Sequence, residues 1–200
     1  MTRLQQMLDT SRPDMAAIRD FLDGLDPATR KHEALSLRVG QQRRLFEAAR
    51  GFKALTLEDM VPSNVPSMKE VVHSGRNTLP IPGASHFAKV CVRPDGAERD
   101  SGEIWGYNRN SLLLEQAVGP GYYVLHQHAA PGELLVNYLR VPPRAPAHWP
   151  KILDNSERLS FFVYNGTQDV LRGVSKHVTI GRAQKNGQWL PAWFILCRED

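Results

Sequence analysis

The sequence predicts an α+β fold: an N-terminal helical hairpin packed on a strongly curved antiparallel β-sheet or small β-barrel of about six to eight strands. Three features carry that prediction. Apolar residues recur at helical spacing through roughly the first quarter of the chain, period-two alternation follows, and an Asn-Gly pair separates two long runs near the C-terminus.

In the helical part, Ser11 is placed to cap a helix with Pro13 and Asp14 in its first turn. Met15, Ile18, Phe21, Leu22 and Leu25 then form one apolar stripe, which Gly24 weakens or ends. Asp26-Pro27 opens a second helix, aspartate as cap and proline at the first helical position. It is expected to run to Arg50, with Leu35, Val39, Leu45, Phe46 and Ala49 inward, and to stop at Gly51. Thr56 caps a further short turn ahead of Leu57-Glu58-Asp59, and residues 61–66 read as an extended linker. The chain thus divides into a helical lead-in, residues 1–60, and an antiparallel β region, residues 61–200, within one compact domain.

The first strand is expected over residues 70–73, followed by a polar loop at 74–78 that presents Arg76 and Asn77. Residues 86–93 alternate, with Phe87, Lys89, Cys91 and Arg93 on one side and Ala88, Val90 and Val92 on the other. Pro94-Asp95-Gly96 turns the chain, and residues 103–107 return. Residues 112–118 fit a short helix or a strand equally. The stretch GPGYYVLHQHAAPGELLVNYLR, residues 119–140, reads as a hairpin closed at Ala129-Ala130-Pro131-Gly132. That closure pairs His128 with Glu133, His126 with Leu135 and Val124 with Asn137. It places Tyr123, Leu125, Leu134, Val136 and Tyr138 on a core face.

Proline-rich residues 141–150 cannot sit inside a sheet and form a crossover. Residues 159–164 are apolar enough for a buried strand. Residues 167–175 fit a helix capped by Thr167 or an extended segment; as a helix they would pair Asp169 with Arg172. The last hairpin turns at Asn186-Gly187, with Ile180 expected opposite Trp193 and Val178 opposite Ile195. His177, Thr179, Gly181, Ala183, Ala192 and Phe194 line its other face, small enough for a bound molecule or a covering helix.

Hydrophobic residues make up 42% of the chain and charged ones 23%, ordinary for a protein with a real core. The net charge of +4 is dispersed, with no basic run longer than Arg43-Arg44, which argues against nucleic acid as a partner. Residues 1–10 lack an apolar leader, and no stretch is long enough to span a bilayer. The expected setting is therefore cytoplasmic and away from membranes, with Cys91 and Cys197 as buried free thiols.

Small barrels and curved sheets take ligands in their concave mouths, so the leading functional expectation is a small-molecule-binding domain for an anionic or aromatic ligand. Arg76, Tyr107, Tyr122 and Arg182 are the candidate contacts. The hairpin pairing also brings His126, His128 and Glu133 to one face, a donor set that suits a divalent transition metal. Their spacing, His-x-His-x4-Glu, resembles the first metal-binding motif of the cupin family over about eight residues. It departs from that motif at position 140, which is Arg where glycine is expected, and no second motif follows. The resemblance implies a metal-dependent enzyme as the alternative reading. A third expectation is a structural or interaction protein whose helical hairpin forms a homodimer. Nucleophile elbows, HExxH, paired CxxC and GxGxxG patterns are all missing from the sequence.

Overall fold

The computed structural model describes residues 1–79, 85–110, 120–152 and 166–199. Those residues form N-terminal helices and a closed barrel of eight antiparallel strands. Among them, no helix is long and apolar enough to cross a membrane. The undecided helix or strand at 112–118 and the expected strand at 159–164 lie outside the described residues.

The helical part is more divided than the stripe suggests. Helix α1, Arg3–Leu8, begins at a Thr2/Gln5 capping box, in which Thr2 N–H donates to Gln5 Oε1 at 2.9 Å. Helix α2, Met15–Asp23, is capped by Asp14 rather than Ser11. The expected long second helix is two: α3, Pro27–Leu35, and α4, Val39–Ala48. The break is local chemistry. The Ser36 hydroxyl turns back to donate to Glu33 O at 2.7 Å, Gln5 donates to Ser36 O at 2.8 Å, and Leu37 is fully buried at the corner. Helix α5, Leu57–Met60, follows Thr56 as expected.

The strands are β1 (Val71–Asn77), β2 (His86–Val92), β3 (Ile104–Arg109), β4 (Tyr122–Gln127), β5 (Glu133–Asn137), β6 (Thr167–Gly173), β7 (Val178–Lys185) and β8 (Gln188–Arg198). Each pairs with its neighbours in sequence, and β1 pairs with β8 to close the barrel, for example Ser74 with Cys197. Closure removes the free edges that an open sheet would expose. Strand β1 runs through the segment expected as a loop. Gly75 belongs there because a side chain would collide with the Phe87 ring, 2.6 Å from where its Cβ would stand. Residues 167–173 are a strand, so Asp169 and Arg172 point to opposite sides of the wall instead of pairing.

Both sides of the wall are covered. Inside, Cys91, Ile104, Tyr123, Leu125, Leu134, Val136, Leu171, Phe194 and Leu196 form a core. Outside, helices α1 to α4 pack over Val178, Ile180, Trp193, Ile195 and Cys197 of β7 and β8. The helices therefore cover the large-residue face of the last hairpin, while Gly181 turns inward and leaves space that the Phe194 ring fills. A second outer cluster, Val90, Val92, Trp105, Tyr107, Tyr122 and Val124, is covered by Trp149.

The two ends of the barrel differ. At the end holding the β2–β3, β4–β5 and β6–β7 connections, residues 55–61 act as a stopper: Leu55, Met60 and Val61 join the interior core. The carbonyls at the C-terminus of α5, which have no helical partner, are served by the barrel wall. Arg198 donates to Asp59 O at 2.7 Å, His73 Nε2 meets Met60 O at 2.9 Å, and Arg93 donates to Val61 O at 2.5 Å and Pro62 O at 3.3 Å. The strand ends Asn77, His86, Arg109, Tyr122, Asn137 and Thr167 lie at the opposite end, the mouth.

Candidate functional site

Lys89 lies inside the barrel, 1% exposed. Strand β2 puts it there by alternation, since Phe87 and Cys91 share its side and Ala88, Val90 and Val92 face out. Its neighbours come from three other strands or their ends. Asn108 on β3 accepts from Lys89 Nζ at 2.9 Å, and the Tyr138 hydroxyl, just past β5, accepts at 2.6 Å. Asp169 Oδ2 on β6 stands 3.7 Å away. Tyr138 is the hub of the cluster. Its oxygen accepts from Lys89 and from Asn108 Nδ2 at 3.0 Å, and its proton goes to Asp169 Oδ2 at 3.1 Å.

Aromatic rings wall the ammonium. Nζ lies 4.5 Å from the Tyr123 ring centroid, 5.0 Å from Tyr138, 5.3 Å from Phe194 and 5.9 Å from Phe87. Such faces favour a cation that has lost its water. Glycines make this box possible. The Tyr123 ring presses to 2.4 Å from where a Gly106 Cβ would stand, and the Phe194 ring to 2.2 Å from that of Gly181. Deeper in, Cys91 Sγ meets the Tyr123 hydroxyl at 3.3 Å.

Burial disfavours charge at every one of these groups. It lowers the Lys89 ammonium below its usual range, an effect the Asp169 carboxylate opposes. It raises the Asp169 carboxyl, opposed by Lys89 and by the Tyr138 hydrogen bond. The Tyr123 phenol is pushed well up, and the Cys91 thiol to about 11. Cys91 is thus a protonated thiol at neutral pH, in contrast to the exposed low-pKa cysteines that act as nucleophiles. The cluster as a whole offers amine, phenol, amide and carboxyl groups in a buried setting walled by aromatic rings, suited to holding one polar head group.

The residues singled out from the sequence are placed elsewhere on the wall. Arg76 donates to Leu35 O at 2.9 Å and so caps the C-terminus of α3. Tyr107 and Tyr122 meet on the outer face, ring centroids 5.7 Å apart, and Trp149 packs on both. The Tyr122 hydroxyl donates to Pro150 O. Arg182 is also outside, donating to Leu190 O at 2.9 Å and lying between the rings of Trp189 and Trp193. Tyr107 and Tyr122 are brought together; the two arginines stand apart from them, under the helices.

The central hairpin has the expected register, with His126 opposite Leu135 and Val124 opposite Asn137. His128 Nδ1 lies 3.5 Å from Glu133 Oε2, but the ring also accepts from Ala130 N–H at 3.2 Å. Glu133 is held at 2.6 Å by Arg172, which also donates to Phe46 O in α4. His126 Nδ1 turns to Gln127 O at 2.9 Å. Among the described residues, no group of three His, Cys, Asp or Glu side chains is arranged to hold a metal.

Sequence reasoning passed over the interior cluster. A lysine between Phe87 and Cys91 on an alternating strand was the available signal. It marks a basic residue flanked on its own side of the strand by Phe87 and Cys91. No protein-family model matches this chain, and neither the curated proteins nor the solved structures yield a match.

Proposed function

We propose that this protein binds a small organic molecule inside its barrel, entering from the mouth and presenting an acceptor head group, a carboxylate or carbonyl, to Lys89. The observation that supports this most is the Lys89–Tyr138–Asn108–Asp169 cluster itself. A buried ion pair adds little net stability, and apolar residues of similar size often serve a core as well or better. Four convergent polar groups walled by aromatic rings therefore fit recognition better than support. Two donors, the Lys89 ammonium and the Asn108 amide, suit an acceptor head, and the surrounding rings suit an aromatic or flat body. The stoppered end leaves the mouth as the side of approach. Binding requires the Phe87 and Phe194 rings, which meet edge-to-face at 5.9 Å, to shift.

The test uses 1-anilinonaphthalene-8-sulfonate, an aromatic anion whose emission rises and shifts to the blue where water is excluded. The native protein is expected to bind it saturably at one site. Changing both charges, Lys89→Met with Asp169→Asn, leaves no unpaired charge behind and is expected to weaken binding at least about tenfold while the circular dichroism is kept. Equal dye binding by the double variant, or no saturable binding by the native chain, would overturn the proposal.

A further inference from the structure

We infer a second ligand site on the outside of the barrel, for a small phosphate carried on a flat ring. A groove of about 390 Å³ runs between α4 and the β7–β8 hairpin, walled by Gly40, Arg43, Arg44, Glu47, Arg182 and Trp193. The four α4 residues recur at i, i+3, i+4 and i+7, so they form one helical face turned to the groove. Three guanidinium groups there face one carboxylate.

Those guanidinium groups are not equally committed. Arg44 is tied to Leu8 O and to Asp9 at 3.1 Å. Arg182 reaches Glu47 only at 3.7 Å, and Glu47 is also paired with Arg50 at 3.1 Å. Arg43 is exposed and has no partner among the described residues. Arginine is the side chain best shaped to bind phosphate through two parallel hydrogen bonds. The first turn of α4, a ten-residue helix, adds the positive end of its dipole at Gly40, where nothing lies within 4 Å of the place a Cβ would take.

A second, independent observation points to a ligand. Trp193 is 7% exposed and its indole N–H has no hydrogen-bond partner among the described residues. Burying such a donor unsatisfied costs about 1–3 kcal/mol, and a bound acceptor would relieve it. Beside it, the Trp189 ring is 43% exposed and flanks the Arg182 guanidinium at 5.1 Å, while Trp193 flanks it at 4.9 Å. An exposed indole against an arginine is a stacking platform for a flat ring. The guanidinium groups, the Trp193 indole N–H and the exposed Trp189 ring beside the groove together select a phosphate attached to an aromatic body over a free inorganic ion.

Phenyl phosphate and inorganic phosphate, titrated separately by calorimetry at low salt, test the assignment. Phenyl phosphate is expected to saturate one site with a dissociation constant of about 0.1–1 mM, and inorganic phosphate to bind at least about tenfold more weakly. Arg43→Gln, an exposed substitution that leaves folding alone, is expected to weaken phenyl phosphate about tenfold. Trp189→Ala is expected to bring phenyl phosphate down to the level of inorganic phosphate. The double variant at Lys89 and Asp169 is expected to bind phenyl phosphate as the native protein does, which separates this groove from the interior site. Unchanged binding in Arg43→Gln, equal binding of the two phosphates, or loss of phenyl phosphate in the Lys89 double variant would overturn the assignment.

Discussion

At the residue scale, Tyr138 explains how four polar side chains tolerate one buried interior. One hydroxyl accepts twice and donates once, so its hydrogen-bonding capacity is filled. The tension in the cluster lies between Lys89 and Asp169, each pushed towards neutrality by burial, an effect the other opposes. Asp169→Asn removes the anion, so the folded-state pKa of Lys89 drops further below the ordinary 10.5 that the unfolded chain keeps. Between those two values the unfolded chain holds one more proton than the folded one. Stability must then rise with pH across that window, by at most about 1.4 kcal/mol per pH unit. Urea unfolding at about pH 7 and about pH 9 is expected to show Asp169→Asn gaining more on the alkaline side than the native chain. Parallel behaviour of the two would mean that Asp169 does not govern the lysine. The sequence grouped Lys89 with Phe87 and Cys91 on one side of β2, without saying which side faces inward, and put Tyr138 on a core face. What it did not reveal was that these strands converge, because Lys89, Asn108, Tyr138 and Asp169 are scattered along the chain and meet only on closure.

At the element scale, patterns near a turn were legible and patterns set by distant contacts were not. The central hairpin kept its expected register and core face, since one short loop dictates both. In the last hairpin Lys185 pairs with Gln188 around Asn186-Gly187. A bulge between Arg182 and Gln184 then shifts the pairing by two, so Ile180 faces Ile195 rather than Trp193. The shift preserves which face each side chain takes, and the apolar face survived. The broken helix at Ser36 and the strand through Gly75 were hidden because the first depends on α1 and the second on a ring from β2. Helix α5 is a stopper with only four residues, held in place by contacts from outside it. Arg93→Met is expected to remove the side-chain donor from the carbonyls of Val61 and Val65, while Pro62 O keeps the Val65 N–H, and to cost about 1–2 kcal/mol, read as a lower urea midpoint at unchanged slope. A loss below about 0.5 kcal/mol would show that water replaces the arginine fully.

At the scale of the whole molecule, the barrel is buried on both sides over much of its girth. Helices lie on β7 and β8, and the segment around Trp149 lies on β2 to β4. Period-two alternation tells which residues share a face, but it cannot say which face is inside when both are apolar. That is why Tyr107 and Tyr122 looked suited to a concave interior and instead pack beneath Trp149. Closure itself was within the expected range, while the pairing of β1 with β8 joins segments more than a hundred residues apart and leaves no local mark. The account then depends on the interior end of Lys89 being a place for a ligand. Nuclear magnetic resonance of the aromatic rings during a 1-anilinonaphthalene-8-sulfonate titration reports this most directly. Saturating shifts at Tyr123, Tyr138 and Phe194 are the predicted result. Shifts confined to rings on the outer face, such as Trp189 and Trp149, with the interior rings unmoved, would contradict it.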